Sequence, residues 1–493
     1  MFNLGPFDAC VLGLYLIVVV GVGLYAGYGQ RNLSDYMLGG RDLPWWALLG
    51  SIVATETSTV TFLSVPATAF REGGNLQFIQ LALGYVLGRL LVARFLLPLY
   101  FRGELFTAYE VLHARFGGAT KTVASIMFLV TRTFADGLRL YLTALVLNAM
   151  TDWTVTQSVV VLGAVTVVYT MVGGMKSVVW NDCIQLVVYI AGALVAATAV
   201  VGMLPGGLSS AADYAAAHAK LRWLDASFDP TVAYTIWAGV IGGMFLTTAT
   251  HGADQMMVQR YLCARSERDA ARAVRWSGPV VLVQFLLFLL LGVGLAAFYD
   301  VSPPERPFKT PDEAFVHFIV HHLPAGAKGL TLAALFSAAM STLASSLNSS
   351  ATSALNDIIL SSKPESRRNP RLVPLGRALT VAFGAAQVGV AIVGERLAER
   401  GVVDSVLAIA GFSTGVVLGV FALGMANRRA GQASALVGLL AGLATVTAVA
   451  FGTRLAWPWY TLVGGAVTFA AGSAAAWFLP PHVTRRSAGL SSR

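Results

Sequence analysis

Most polar side chains in this sequence that could do chemistry lie inside apolar runs. The stretch Gly50-Ser51-Ile52-Val53-Ala54-Thr55-Glu56-Thr57-Ser58-Thr59-Val60-Thr61 sets one carboxylate, Glu56, among hydroxyls that include Ser58 and Thr61. A helix broken there would offer free carbonyls and hydroxyls to a cation. Residues 337–350 read Ser-Ala-Ala-Met-Ser-Thr-Leu-Ala-Ser-Ser-Leu-Asn-Ser-Ser, and hydroxyls recur at Ser341, Ser345 and Ser349 on one helical face. Small and hydroxyl residues also let membrane helices pack closely, which is the plainer account of this second stretch. Arg132, Asp136 and Arg139 share one helix side, and Asp136 can pair with either arginine. One acid does not neutralise two guanidinium groups. The spare charge is either hydrated at a helix end or aimed at an anion. Gln77 and Gln80 either serve a polar ligand or cap and pack. His317, His321 and His322 have a metal-like spacing without acidic or Cys partners nearby. No nucleophile–base pair, phosphate-cradling loop or Cys–Cys pair appears. Binding and release, not catalysis, is the chemistry these residues suit.

The elements that must position them are membrane helices. The chain has 493 residues, 56% hydrophobic and 12% charged, where soluble domains carry about 25% charged residues. Its mean hydropathy is +0.68. That apolar surplus is too large for a water-soluble core. A secreted enzyme, a nucleic-acid binder and a disordered scaffold are excluded together. The net charge of +9 then reflects basic loops beside a membrane. Cys10, Cys183 and Cys263 are too scattered for a disulfide framework.

A bilayer needs about 20 apolar residues per helix, and that ruler predicts about thirteen spans. The second covers about 45–70, the fourth 120–149, the sixth 177–204, the seventh 232–259 and the ninth 328–361. With the N-terminus outside and strict alternation, the inside loops hold Arg260, Arg265, Arg268, Arg272 and Arg275, then Lys363, Arg367, Arg368, Arg371 and Arg377. The resulting excess of basic residues inside is about twofold and predicts N-out, C-in. Two long outside loops, about 205–231 and 300–327, have room for short surface helices. The short tail after 480 leaves no room for an output domain.

Four stretches carry a resemblance. Thr107-Ala-Tyr-Glu-Val-Leu-His-Ala-Arg-Phe-Gly117, Gly173-Gly-Met-Lys-Ser-Val-Val-Trp-Asn-Asp182-Cys-Ile-Gln185, Asp254-Gln-Met-Met-Val-Gln-Arg260 and the Ser-rich run Thr331 to Asp357 occur in order. They resemble the sodium:solute symporter family, which includes the sodium–glucose, sodium–proline, sialic acid, pantothenate/biotin and monocarboxylate symporters. The resemblance implies an all-α polytopic membrane protein with an inverted five-helix repeat. Residues 1–44 would form a peripheral helix and loop, 45–204 the first repeat and 232–426 the second, inverted one with its outside loop at 300–327. Residues 427–493 would add two peripheral helices and the tail. Spans two and seven would be the broken ones.

The family's sodium site maps onto Ala54, Thr57, Ala338, Ser341 and Thr342. Five neutral oxygens suit weak, reversible binding. A second sodium, found in some members, would use Asp182 and Ser345, but Ala344 stands where a hydroxyl is expected. The resemblance thus implies one co-transported sodium per solute. Sugar carriers of the family place a Tyr where this chain has Met256 beside Asp254, a Gln where it has Leu407, and a Glu-Gln pair where it has Val60 and Thr61. A sugar whose hydroxyls went unpaired would bind poorly. Val258-Gln-Arg-Tyr-Leu262 and Met256 resemble the family's vitamin and monocarboxylate branch, so the resemblance implies a carboxylate-bearing solute, a monocarboxylate, a vitamin or a sialic acid-like acid, met by Arg132 or Arg139. Glu56, Ser58, Thr61, Gln77, Gln80, Asp254 and Met256 complete the expected substrate site. Glu56 keeps two alternatives open, a sodium-coupled amino acid or sugar symporter and a proton-coupled one. The expected setting is the cell inner membrane, with no nucleic-acid partner and no required oligomer.

Overall fold

The computed structural model describes residues 5–479, apart from 152, 362–368, 370 and 399–401. Among the described residues the fold is helical, with one isolated bridge between Leu43 and Ala264. The principal helices are α1 (Pro6–Ala26), α2 (Trp45–Glu56), α3 (Thr59–Phe70), α4 (Ile79–Leu91), α5 (Gly118–Met150), α6 (Val155–Met203), α7 (Gly243–Gly252) and α8 (Gln255–Leu262). They continue as α9 (Glu267–Val301), α10 (Ala327–Ser353), α11 (Leu372–Ala398), α12 (Val402–Ala426), α13 (Gln432–Gly452) and α14 (Tyr460–Phe478). Short helices lie in both long loops, at Leu208–Ala217 and Glu313–His321.

By length and composition, eight helices among the described residues can cross a bilayer, or nine if the bent pair α2–α3 is one span. The sequence led us to expect about thirteen. Helix occurs in every expected interval, so the difference has local causes. Helix α5 carries Lys121, Arg132, Asp136 and Arg139. The seventh interval is split between α7 and α8. Helix α6 is 49 residues long yet turns at Gly174, where φ is 55° and ψ is −153°. A side chain there would meet the Tyr36 carbonyl oxygen at 2.3 Å, so both the backbone conformation and the close approach require glycine.

The two breaks have visible chemistry. Thr57 leaves the helical conformation after α2, and Ser58 caps α3 by accepting from the Thr61 amide. The two halves meet at 61°. Ala253 and Asp254 interrupt the other span, and the Asp254 carboxylate caps α8 by accepting from the Met256 amide at 2.8 Å. Helix α10 is the buried axis, covered by α6 along much of its length. Its own start is capped from afar: Asp8 of α1 accepts from the amides of Gly326 and Gly329. Large apolar side chains such as Ile17, Val187, Val283 and Leu440 remain exposed on the outer helices, the surface a bilayer covers.

Candidate functional site

The break between α2 and α3 faces the hydroxyl side of α10. Thr342 donates to the carbonyl oxygen of Thr55 at 3.2 Å and shares that proton with Ala338 O at 3.3 Å. Thr57 donates its hydroxyl to Val53 O, and Gln284 donates to the Thr57 oxygen at 2.5 Å. The Thr57 carbonyl sits at the helix end, where the next turn no longer uses it. Ser341 donates to Asp182 at 2.6 Å. That bond fixes the hydroxyl proton and turns the lone pairs of Ser341 away from Asp182. Ala54, Thr57, Ala338, Ser341 and Thr342 are thus held in one buried neighbourhood.

Arg260 of α8 lies one step further in. Its guanidinium donates to Ser51 at 2.8 Å, to Met256 O at 2.5 Å and to Asp182 at 3.2 Å, and it also bonds Thr55 and Ser345. Ser51 donates to the same Asp182 carboxylate at 2.5 Å. Asp182 and Ser345, the pair a second sodium would use in other family members, are therefore joined through a buried cation of the protein itself.

A cavity of about 640 Å³ adjoins the break. Glu56, Ser58, Thr61, Arg132, Arg139, Asp254 and Met256, seven of the residues named above as candidates, all line it. Four arginine–carboxylate pairs surround it. Glu56 pairs with Arg89, a fully buried arginine of α4, with His251 beside both. Arg132 pairs with Asp254 at 2.6 Å and lies 3.7 Å from Asp136. Arg139 pairs with Asp136 at 2.6 Å. The arginines differ in freedom: the Arg139 side chain is 35% exposed and has one acid, whereas Arg132 is 14% exposed and lies between two.

Gln77 and Gln80 are not part of this lining. Gln80 is buried and donates to Tyr234 O at 2.8 Å, while Gln77 reaches Asp225 at 3.4 Å. They fasten the loop around Asp225 and Tyr234 to the start of α4, which is the capping and packing account of them. His317 bonds the Tyr299 hydroxyl and stacks on His321. The side chains of Val60 and Leu407 lie outside the described residues.

The profile of the sodium:solute symporter family matches residues 36–442. This chain belongs to that family. A human sodium/iodide cotransporter is 34% identical over 92% of this chain and 70% of its own length. A rabbit sodium-dependent multivitamin transporter is 32% identical over 88% and 69%. The solved structure of a sodium-coupled sialic acid symporter, bound to substrate in an outward-open state, superposes with a TM-score of 0.86 at 27% identity, over 97% of this chain and 99% of that one.

As a sodium:solute symporter, the chain is a multi-pass membrane transporter with sodium as its co-transported ion. Sequence reasoning gave no role to two residues packed against Glu56, Arg89 and His251. For Arg89 a signal existed: an arginine in the middle of an apolar span is costly and needs a partner, and Glu56 is the acid of the neighbouring span. His251 carried no such signal, because nothing in its local sequence places it beside Glu56.

Proposed function

We propose that the protein imports a carboxylate-bearing organic solute with one sodium ion across the cell inner membrane. It does so as a transporter and not as an enzyme. Sodium is held by the carbonyls of Ala54, Thr57 and Ala338 and the hydroxyls of Ser341 and Thr342. The observation that carries this reading is the contact of Thr342 with both the Thr55 and Ala338 carbonyls. It brings the free end of α2 within reach of the α10 hydroxyls. Arg260 on Asp182 and Ser345 supports a single sodium. The fold reading is thirteen crossings, N-terminus outside, with inverted halves at 45–204 and 232–426.

The carboxylate reading rests on Arg139, the cavity arginine with one acid and partial exposure. Two relatives are named for anions, iodide and sialic acid, and the cavity lies within the size range of small-molecule sites. The proton-coupled alternative is weakened by Arg89. Protonating Glu56 would strand a buried guanidinium without its counter-ion. The same pair weakens the amino acid alternative, since Glu56 has no charge to spare for an ammonium group.

Uptake into proteoliposomes, with carboxylates, sugars and amino acids as the panel, tests the reading. A carboxylate is expected to accumulate only when an inwardly directed sodium gradient is imposed. Thr342→Val is expected to abolish the sodium dependence. Arg139→Gln is expected to raise KM for the carboxylate about 10- to 100-fold, the worth of a charge-assisted hydrogen bond. Uptake driven by a pH gradient without sodium would overturn the ion, and accumulation of a neutral sugar would overturn the solute class.

A further inference from the structure

A second large concavity lies away from the solute cavity. It is a groove of about 750 Å³ between the last turns of α1 and the second leg of α6. Its apolar wall includes Val22, Ile184, Val187 and Val188. Val187 is 68% exposed, so the groove opens sideways, on a face that a membrane protein turns to lipid.

The groove is built into the backbone. Gly23 of α1 and Gly27 just after its end press against α6 so closely that a Cβ on Gly27 would lie 2.6 Å from the Gly173 Cα, and one on Gly23 would lie 2.7 Å from the Tyr169 Cβ. This seam fixes how the two helices meet.

Its polar residues gather in one band. Tyr25 and Tyr28 are 84% and 91% exposed, and Trp180 lines the groove with them. Tyr and Trp in this setting mark the headgroup level of a bilayer. Lys176 is also exposed there, and no lining residue is acidic. Among the described residues Lys176 makes no ion pair. An apolar trough ending in aromatic rings and one unpaired ammonium is complementary to a molecule with an acyl chain and an anionic head.

We propose that this groove seats an anionic phospholipid, with its acyl chain along the apolar wall and its phosphate at Lys176. The ammonium is a compact point charge on a flexible stem and reaches a phosphate without a fixed geometry. Lys176 lies on the side of the membrane that the basic loops assign to the cytoplasm, where anionic lipids are concentrated.

The test uses purified full-length protein and native mass spectrometry with added phosphatidylglycerol, or phosphatidylcholine of the same chains. Retention of phosphatidylglycerol is expected to exceed that of phosphatidylcholine about fivefold, the share of one basic residue near an anionic headgroup. Lys176→Gln is expected to abolish that preference without changing the melting temperature in lipid-free detergent. Val187→Trp, which fills the trough and keeps the charge, is expected to reduce retention of both lipids. Equal retention of the two lipids, or a preference that survives Lys176→Gln, overturns the proposal. So does lipid binding untouched by Val187→Trp, which puts the site elsewhere. Competition by soluble glycerol 3-phosphate reassigns the site to a free phosphate. Mass doubling that Val187→Trp removes reassigns the groove to a second copy of the chain.

Discussion

The hydroxyls on the two sides of the broken helix behave differently. Away from the break, several hydroxyls lining the solute cavity bond backwards along their own helices, Thr68 to Ser64 O, Thr131 to Met127 O and Thr250 to Leu246 O, whereas Thr55 and Thr342 at the break bond across helices. On the other side several bond across helices, although Ser337 and Thr352 of α10 still bond back to Ala333 O and Asn348 O. Ser51 and Ser341 meet Asp182, and Thr107 and Ser125 meet Asp357. The amides follow suit, with Gln255 holding Ala108 N and Gln259 holding Met37 O, Asn348 and Thr352. A hydroxyl bonded to its own preceding turn keeps its lone pairs for a solute and loses nothing when neighbouring helices separate. A cross-helix hydroxyl must break its bond before anything moves. One side is thus a lined vestibule, reaching the surface beside Trp457, and the other is a lock. This is the asymmetry an alternating-access carrier needs.

The sharpest way to break the contrast is at Arg260. Arg260→Ala leaves Asp182 buried and unpaired, at a cost of about 3–5 kcal/mol. The expected result is little or no monodisperse protein. Combining it with Asp182→Leu removes both charges, and a large part of the stability is expected to return. Melting temperature in detergent reads both. If Arg260→Ala alone leaves the melting temperature unchanged, the lock is not where the energy lies.

The fourth motif of the chain makes a smaller, more directional prediction. Asp357 accepts from Thr107 at 2.6 Å, Ser125 at 2.7 Å, Ser353 at 3.0 Å and Asn356 at 2.9 Å. It ties the loop before the short helix Tyr109–Phe116 to α5 and to the end of α10. Thr107→Val removes one of these bonds and keeps the shape, at a cost of about 1–3 kcal/mol. Faster hydrogen exchange is expected over 101–117, with no change around Thr131 or Thr250. Equal acceleration on both sides would mean that the two regions open as one unit, and the contrast would fail.

These residues also show how much was legible. The broken span was readable because a carboxylate among hydroxyls has no other plausible setting at membrane depth, and α10 was readable from its periodic serines. The cavity arginines were found because Arg132, Asp136 and Arg139 are neighbours in sequence. The partners 33 or more residues away were not, as with Arg89 for Glu56, Asp254 for Arg132 and Arg260 for Asp182. Pairing between helices depends on rotation and depth, and composition carries neither. Gln77 and Gln80 stayed open in the sequence for the complementary reason. A buried amide looks the same in sequence whether it meets a solute or, as here, a backbone carbonyl.

The smallest expected effect lies at the vestibule rim. Asp225 accepts from Ser227 N at 3.0 Å and from Gln77 at 3.4 Å, and its own backbone carbonyl accepts from Ile236 N. The bonds from Ser227, and then the nearby Arg222, hold its carboxyl below the usual range. A carboxyl whose folded value is depressed stabilises the fold above its unfolded value, near pH 4, and that contribution is lost as pH falls through the lower folded value. Asp225→Asn is expected to lower the melting temperature by no more than about 1 °C at pH 7, because the group is solvated. The gap to wild type is expected to narrow as the pH drops below about 4. The rim loop is held by several such weak ties, including Lys220 on the carbonyls of Ala69, Phe70 and Arg71. Losing one should therefore loosen the vestibule without unfolding it, the opposite of losing Arg260. A fall as large as that of Arg260→Ala would show the rim to be a second lock.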